Sequence, residues 1–298
     1  MSTILVAGAT GLVGTAICQR LAAAGKSVRA LIRESSDPVK VSKLQSLGVE
    51  TIQGDVRDRA SLDRACQGIT AVISTISSMP FSYQPDVNDI QTTDLDGVTS
   101  LIEAAKTNHA SRFIYISYSR NIDIECPLTN AKREVERRLK ASGLVYTILR
   151  PSYFMEVWLS PAVGFDAANA KVVIYGTGQS ALSWIALEDV AQFAVASLDH
   201  PEAKNATLEL GGPDAVSPLD VVKLFEQTNG RSIELQFVPE EALQAQQAAA
   251  TDPMQQSFSG LMRNVALGDP IEMSATLRTF AMQPTTVEEY VKRVLTVA

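Results

Sequence analysis

Ile4-Leu5-Val6-Ala7-Gly8-Ala9-Thr10-Gly11-Leu12-Val13-Gly14 decides the fold. Four apolar residues run into a glycine, as a strand buried on both faces does. Three glycines follow in a G-x-x-G-x-x-G spacing, and from Thr15 apolar residues recur at helical intervals up to Gly25, a residue suited to end a helix. A turn this tight needs glycine dihedrals, and a pyrophosphate needs the backbone of Gly8, Thr10 and Gly11 to come close. Leu12, Val13 and Gly14 then lead into the helix N-terminus, where free N–H groups and the positive end of the dipole favour an anion.

The same rhythm continues outward. Strands are expected at residues 28–32, 50–53, 71–76, 112–117 and 145–149, with helices at 39–47, 62–66, 96–107 and 130–142 between them. Such alternation predicts an α/β chain with a doubly wound parallel sheet, the Rossmann fold. Beyond Pro151 a strand at 171–175, a strand at 207–210 and helices at 187–198, 217–228, 240–250 and 290–295 are expected. Ser217-Pro218 reads as a cap and first turn, and Thr286-Val287-Glu288-Glu289 as a capping box. The expected organisation is a dinucleotide-binding domain over 1–151 and a smaller C-terminal α/β substrate lobe over 152–298, which returns a strand near 206–212 to the main sheet.

In this context the glycines read as a dinucleotide site rather than a plain turn. Arg33 ends the second strand, 19 residues past Gly14. An acidic residue there would hold a ribose 2′-hydroxyl, whereas the arginine fork suits a 2′-phosphate, so NADP(H) is favoured. Glu34 follows directly and leaves NAD(H) open. Asp55-Val56 lies just past the third strand, where Asp55 either contacts the adenine amino group or caps the next helix.

Composition excludes other classes. A net charge of -7 with no basic stripe argues against nucleic acid as the partner. Cys18, Cys66 and Cys126 have no metal-ligand spacing, and His109 and His200 stand in polar company, so neither a zinc site nor a histidine triad is expected. With no leader-like start and no apolar run near the roughly 20 residues a membrane helix needs, a soluble cytoplasmic chain is expected.

Further segments carry a family resemblance: Val28-Arg29-Ala30-Leu31-Ile32-Arg33, Gly54-Asp55, Phe113-Ile114-Tyr115-Ile116-Ser117, Ala131-Lys132-Arg133-Glu134 and Tyr146-Thr147-Ile148-Leu149-Arg150-Pro151. With the glycine loop, these make the chain resemble the NmrA-like family of atypical short-chain dehydrogenase/reductases. The resemblance implies either an NADPH-dependent reductase of quinones, dyes or phenylpropanoids, or a redox sensor that binds NADP(H) and acts through a protein partner. It implies that Ser74, Thr75 and Ile76 line the cofactor's ribose, and that Ser117 and Lys132 correspond to catalytic positions of the wider superfamily.

In that superfamily a tyrosine four residues before the lysine exchanges a proton with substrate. Here the position is Leu128, which cannot. Lys132 itself, Tyr118 or Tyr153 could donate instead, or a quinone-like acceptor could take its proton from water. The plainer reading of Lys132 is an exposed residue paired with Glu136. Tyr153 and Phe154, just past Pro151, either wall a nicotinamide pocket or are core aromatics. The long, partly apolar loop 77–91, with Met79, Phe81 and Tyr83, suggests a lid over a small apolar substrate.

Overall fold

The computed structural model describes residues 3–297. Its strands are β1 (Thr3–Ala7), β2 (Ser27–Ile32), β3 (Glu50–Gln53), β4 (Ile69–Ser74), β5 (Arg112–Ile116), β6 (Val145–Pro151), β7 (Phe165–Asp166), β8 (Lys171–Tyr175), β9 (Ala206–Leu210) and β10 (Glu234–Val238). Seven of them form a sheet in the order β3-β2-β1-β4-β5-β6-β9. The pairings from β3 through β6 are all parallel. From β1 the chain winds outward to β3, then returns to β4 on the other side of β1. The crevice beyond the ends of β1 and β4 is thus the switch point where ligands bind in open α/β sheets.

The chain divides into two compact units. The first takes Met1–Ser117, Asn130–Leu149 and Val190–Leu208; the second takes Tyr118–Thr129, Arg150–Asp189 and Glu209–Ala298. In the first, α1 (Leu12–Ala23), α2 (Pro38–Ser46), α3 (Arg59–Cys66), α4 (Val98–Thr107) and most of α5 (Pro127–Ala141) connect the strands. One core cluster joins Leu5 and Ala7, Val72, Phe113 and Tyr115, and Ile148 from the sheet to Leu62, Leu101, Ile102, Val135 and Leu139 of α3, α4 and α5. Leu5/Ala7 and Phe113/Tyr115 are two apart and therefore share a sheet face. Helix ends are closed by side chains: the Asp37 carboxylate accepts from Val39 N at α2, and that of Asp58 from Ala60 N at α3.

The expected long helix at 96–107 is shorter. It is preceded by a π-helical segment, Ile90–Gly97, which begins with Asp89 accepting from Thr92 N. A wider turn of this kind is tolerated only locally, because its packing is poorer than that of an α-helix.

In the second unit β8 pairs parallel with β10 and antiparallel with β7. Neither β10 nor the helices Pro253–Leu267 and Ser274–Phe280 were among the expected elements. The core of this unit gathers Tyr153, Phe165, Trp184, Phe225 and Tyr290. The capping box closes reciprocally, Glu289 N donating to Thr286 Oγ1 at 3.1 Å and Thr286 N to Glu289 Oε2 at 2.8 Å. No helix of the described residues is long and apolar enough to cross a membrane.

Candidate functional site

Gly8 ends β1 with a φ of +84°, and a Cβ there would stand 2.5 Å from Thr75 Oγ1. Only glycine meets both demands. Thr75 closes the approach by donating its backbone N–H to Ala7 O at 2.9 Å, so the ends of β1 and β4 are locked together. Gly11 is the N-cap of α1 and brings no side chain to it. The N–H groups of Leu12, Val13 and Gly14 therefore lie at an uncapped helix start, the arrangement that favours a phosphate. Thr10 is half-buried in the loop, Leu12 is 51% exposed, and Thr15 Oγ1 returns to Ala9 O at 3.0 Å.

At the end of β2, Arg33 is exposed. Its backbone N–H and carbonyl both bind Ser36. Its guanidinium makes no hydrogen bond or ion pair among the described residues, and Glu34 beside it is also exposed. Past β3, Asp55 does not cap α3; Asp58 does. The Asp55 carboxylate is held in a fork by Arg57, with Nε at 2.9 Å and a terminal nitrogen at 2.7 Å. That hydrogen-bonded guanidinium keeps its pKa below the usual range, and the charge of Arg33 adds to the effect. Arg57 also donates to Val87 O in the loop after β4. Sequence reading passed over Arg57, although an acidic residue two positions before an arginine at a strand end was the available signal. Val56 is buried, and a Cβ on Gly97 would collide with its Cγ2.

Lys132 is 4% exposed, which removes the reading in which it is a surface lysine paired with Glu136. It faces Asp94 instead, Nζ to Oδ1 3.6 Å, and donates to Ile76 O at 3.2 Å. Its Nζ lies 5.3 Å from the centre of the Tyr115 ring. Burial pushes the Lys132 pKa below the ordinary lysine value, while Asp94 pulls it back up. Glu136 is engaged by Ser117, whose hydroxyl donates to it at 2.6 Å, and by Arg133 at 3.0 Å. Ser74 Oγ is buried with no hydrogen-bond partner among the described residues.

In the second unit Leu128 is buried, its N–H donating to Ser257 Oγ. The Tyr118 hydroxyl donates to Thr129 Oγ1 at 2.6 Å. Pro151 is buried, and Phe154 is half-buried at the start of the turn Met155–Trp158. Tyr153 is 2% exposed, edge-on to Trp158 at 4.8 Å, and gives its hydroxyl proton to Leu261 O at 3.0 Å. Desolvation holds that phenol well above its ordinary pKa. Asp269, wholly buried, accepts from Ser119, Asn121 and Ser152. Among the described residues no cluster of three or more His, Cys, Asp or Glu could hold a metal.

Comparison with known proteins places these features in a lineage. The model of the NmrA-like family matches residues 1–291. The photosystem II assembly factor Ycf39 of Trieres chinensis is 30% identical over 80% of this chain and 72% of its own length. An isoflavone reductase homologue of Zea mays is 28% identical over 99% of this chain and 98% of its own. Among solved structures, the NADPH-dependent quinone oxidoreductase of Escherichia coli in complex with NADPH superposes with a TM-score of 0.76 at 21% identity, covering 98% of this chain and 99% of that one. At that identity the likeness is one of fold.

Proposed function

The chain belongs to the NmrA-like family, and on that premise we propose that it is an NADPH-dependent reductase of a small apolar acceptor of the quinone, enone or aldehyde type, working without a tyrosine acid. The observation that carries the reading is Lys132: an ammonium withdrawn from solvent, with a single hydrogen bond among the described residues, to a backbone carbonyl, and a carboxylate facing it. A lysine buried in this way costs stability, and ionisable groups so placed are concentrated at functional sites.

The chain offers a fitting cradle for the dinucleotide. Gly8 makes the left-handed turn and Gly14 lets α1 sit directly on the end of β1, α1 starts uncapped, and Arg33 presents a guanidinium without a partner among the described residues. These groups would hold the pyrophosphate and the 2′-phosphate. When bound, NADPH supplies the hydride. Lys132 then holds the proton that the reduced acceptor needs on oxygen; giving it up leaves a neutral amine, which solvent reprotonates. The likeness to an isoflavone reductase homologue along nearly the whole chain supports the assignment, and the fold shared with a quinone oxidoreductase is compatible with it.

A second reading is a non-catalytic NADP(H) sensor acting through a protein partner. Leu128 in the tyrosine's place and an assembly factor among the relatives favour it. The two separate on NADPH oxidation against quinones, enones and aldehydes. Turnover that falls at least tenfold in Lys132→Met supports the reductase; tight NADPH binding with no turnover on any acceptor supports the sensor.

A further inference from the structure

We propose that Asp94 is the positioning residue for Lys132, keeping its Nζ charged and fixing where its proton is presented. The inference rests on the reductase reading for the use of that proton, and on geometry for the rest.

Asp94 is wholly buried in the π-helical segment Ile90–Gly97. One carboxylate oxygen is pinned: Oδ2 accepts from Ser78 N at 2.9 Å and from Ser78 Oγ at 2.6 Å. These bonds orient the carboxylate, and Oδ1 is left facing Lys132 Nζ at 3.6 Å with no hydrogen-bond donor of its own among the described residues. The lysine is held from a second side by Ile76 O. Ile76 and Ser78 belong to the same stretch after β4, so one carboxylate fixes both the ammonium and the root of the loop at 77–91. A π turn inside a helix is a recurrent mark of a functional site, because it aims a side chain that a regular turn would not.

Few other titratable groups face the lysine. Glu136, one turn along α5, is already engaged by Ser117 and Arg133. From β5, Tyr115 presents its ring. Burial disfavours the charged lysine and a nearby carboxylate restores it. Among these groups, Asp94 is the carboxylate not already taken up by other donors on the side it turns to the lysine.

The test is direct observation of the Lys132 ammonium by NMR in protein labelled with nitrogen-15 at lysine Nζ, assigned with Lys132→Arg. The expected result is an ammonium at neutral pH in the unaltered chain. In Asp94→Asn, which keeps the shape, its titration moves down by about one pH unit or more. Asp94→Glu restores most of the shift, and Asp96→Asn, an exposed charge on the same segment, leaves it unmoved. A neutral amine at neutral pH in the unaltered chain would overturn the proposal. So would identical Lys132 titration in Asp94→Asn. Turnover is read separately: the alkaline limb of the rate profile follows the titration downward. Absence of turnover in the unaltered protein defeats the reductase reading without touching the NMR result.

Discussion

A Cβ placed on Gly14 would stand 2.1 Å from the carbonyl oxygen of Gly8, so the first turn of α1 sits directly on the end of β1. The two glycines are one device: Gly8 turns the chain and Gly14 lets the helix dock against the turn. Gly14→Ala must push α1 off the strand end. Overpacking of this kind costs about 1–3 kcal/mol, and the displaced N–H groups lose their aim at the phosphates. The expected outcome is a lower urea midpoint together with a loss of NADPH affinity beyond it. Unchanged affinity by calorimetric titration would remove the loop from the cofactor site.

Arg33→Ala should weaken NADPH about 10- to 100-fold, the worth of a lost charge-assisted contact, and leave NADH little altered. Arg57 offers an internal comparison, because its guanidinium is already occupied by Asp55 and Val87 O. Arg57→Ala should act on both cofactors alike. Equal losses of NADPH and NADH in Arg33→Ala would count against a 2′-phosphate clamp.

The Lys132–Asp94 pair should behave as one buried unit in stability. Lys132→Met leaves the buried Asp94 carboxyl without its partner, a loss of about 3–5 kcal/mol. Adding Asp94→Asn removes the stranded carboxyl and should return a substantial part of that loss. A double variant as unstable as the sum of the two single ones would mean that the residues do not interact.

Stability should fall steeply in alkali. Burial pushes Cys18 and Cys66 from 9.0 up to about 12, and Tyr175 and Tyr290 from 10.0 up to about 12. Above pH 9 the unfolded chain sheds these protons while the fold keeps them, so the native state binds more protons and stability drops as pH rises. The full contribution is present below 9 and is lost on the way to about 12. Tyr153, also raised by burial, acts in the same sense; Lys132, shifted downward, acts in the opposite sense below 10.5, but it is one group against five. Urea midpoints should decline from about pH 9 towards about pH 12, and less steeply in Cys18→Ala/Cys66→Ala. A flat profile would show that these groups are exposed.

Much of the nucleotide-binding sheet could be read from sequence because its signals are local. Apolar runs such as Ile4–Ala7 end at glycine, and a strand buried on both faces has no other way to be written. The arginine closing β2 is equally local. What escaped reading depends on distance or exposure. β10, Glu-Leu-Gln-Phe-Val, alternates as a strand does, but among the described residues it pairs only with β8, is largely exposed, and is too short for its alternation to stand out. Asp94 has no local mark: in the sequence it is one of several polar residues in Thr92-Thr93-Asp94-Leu95-Asp96, and only the return of β4 beside β5 brings it to Lys132. The exposed reading of Lys132 had rested on Glu136 one turn away, a carboxylate that Ser117 and Arg133 have already claimed.

The central claim is that this chain reduces an acceptor with hydride from NADPH and a proton from a lysine, where relatives of the wider superfamily use a tyrosine for the proton. Its most direct test is NADPH deuterated at the transferable position of the nicotinamide ring, incubated with the protein and each of a set of quinones, enones and aldehydes, with products read by mass spectrometry. The expected result is deuterium on the reduced carbon of at least one enone or aldehyde, or, for a quinone, whose hydroxyl hydrogens exchange with water, NADP and hydroquinone formed in equal amounts; either is lost in Lys132→Met and slower with labelled NADH. Saturating NADPH binding with no deuterium on any enone or aldehyde and no hydroquinone formed would contradict it and leave a sensor.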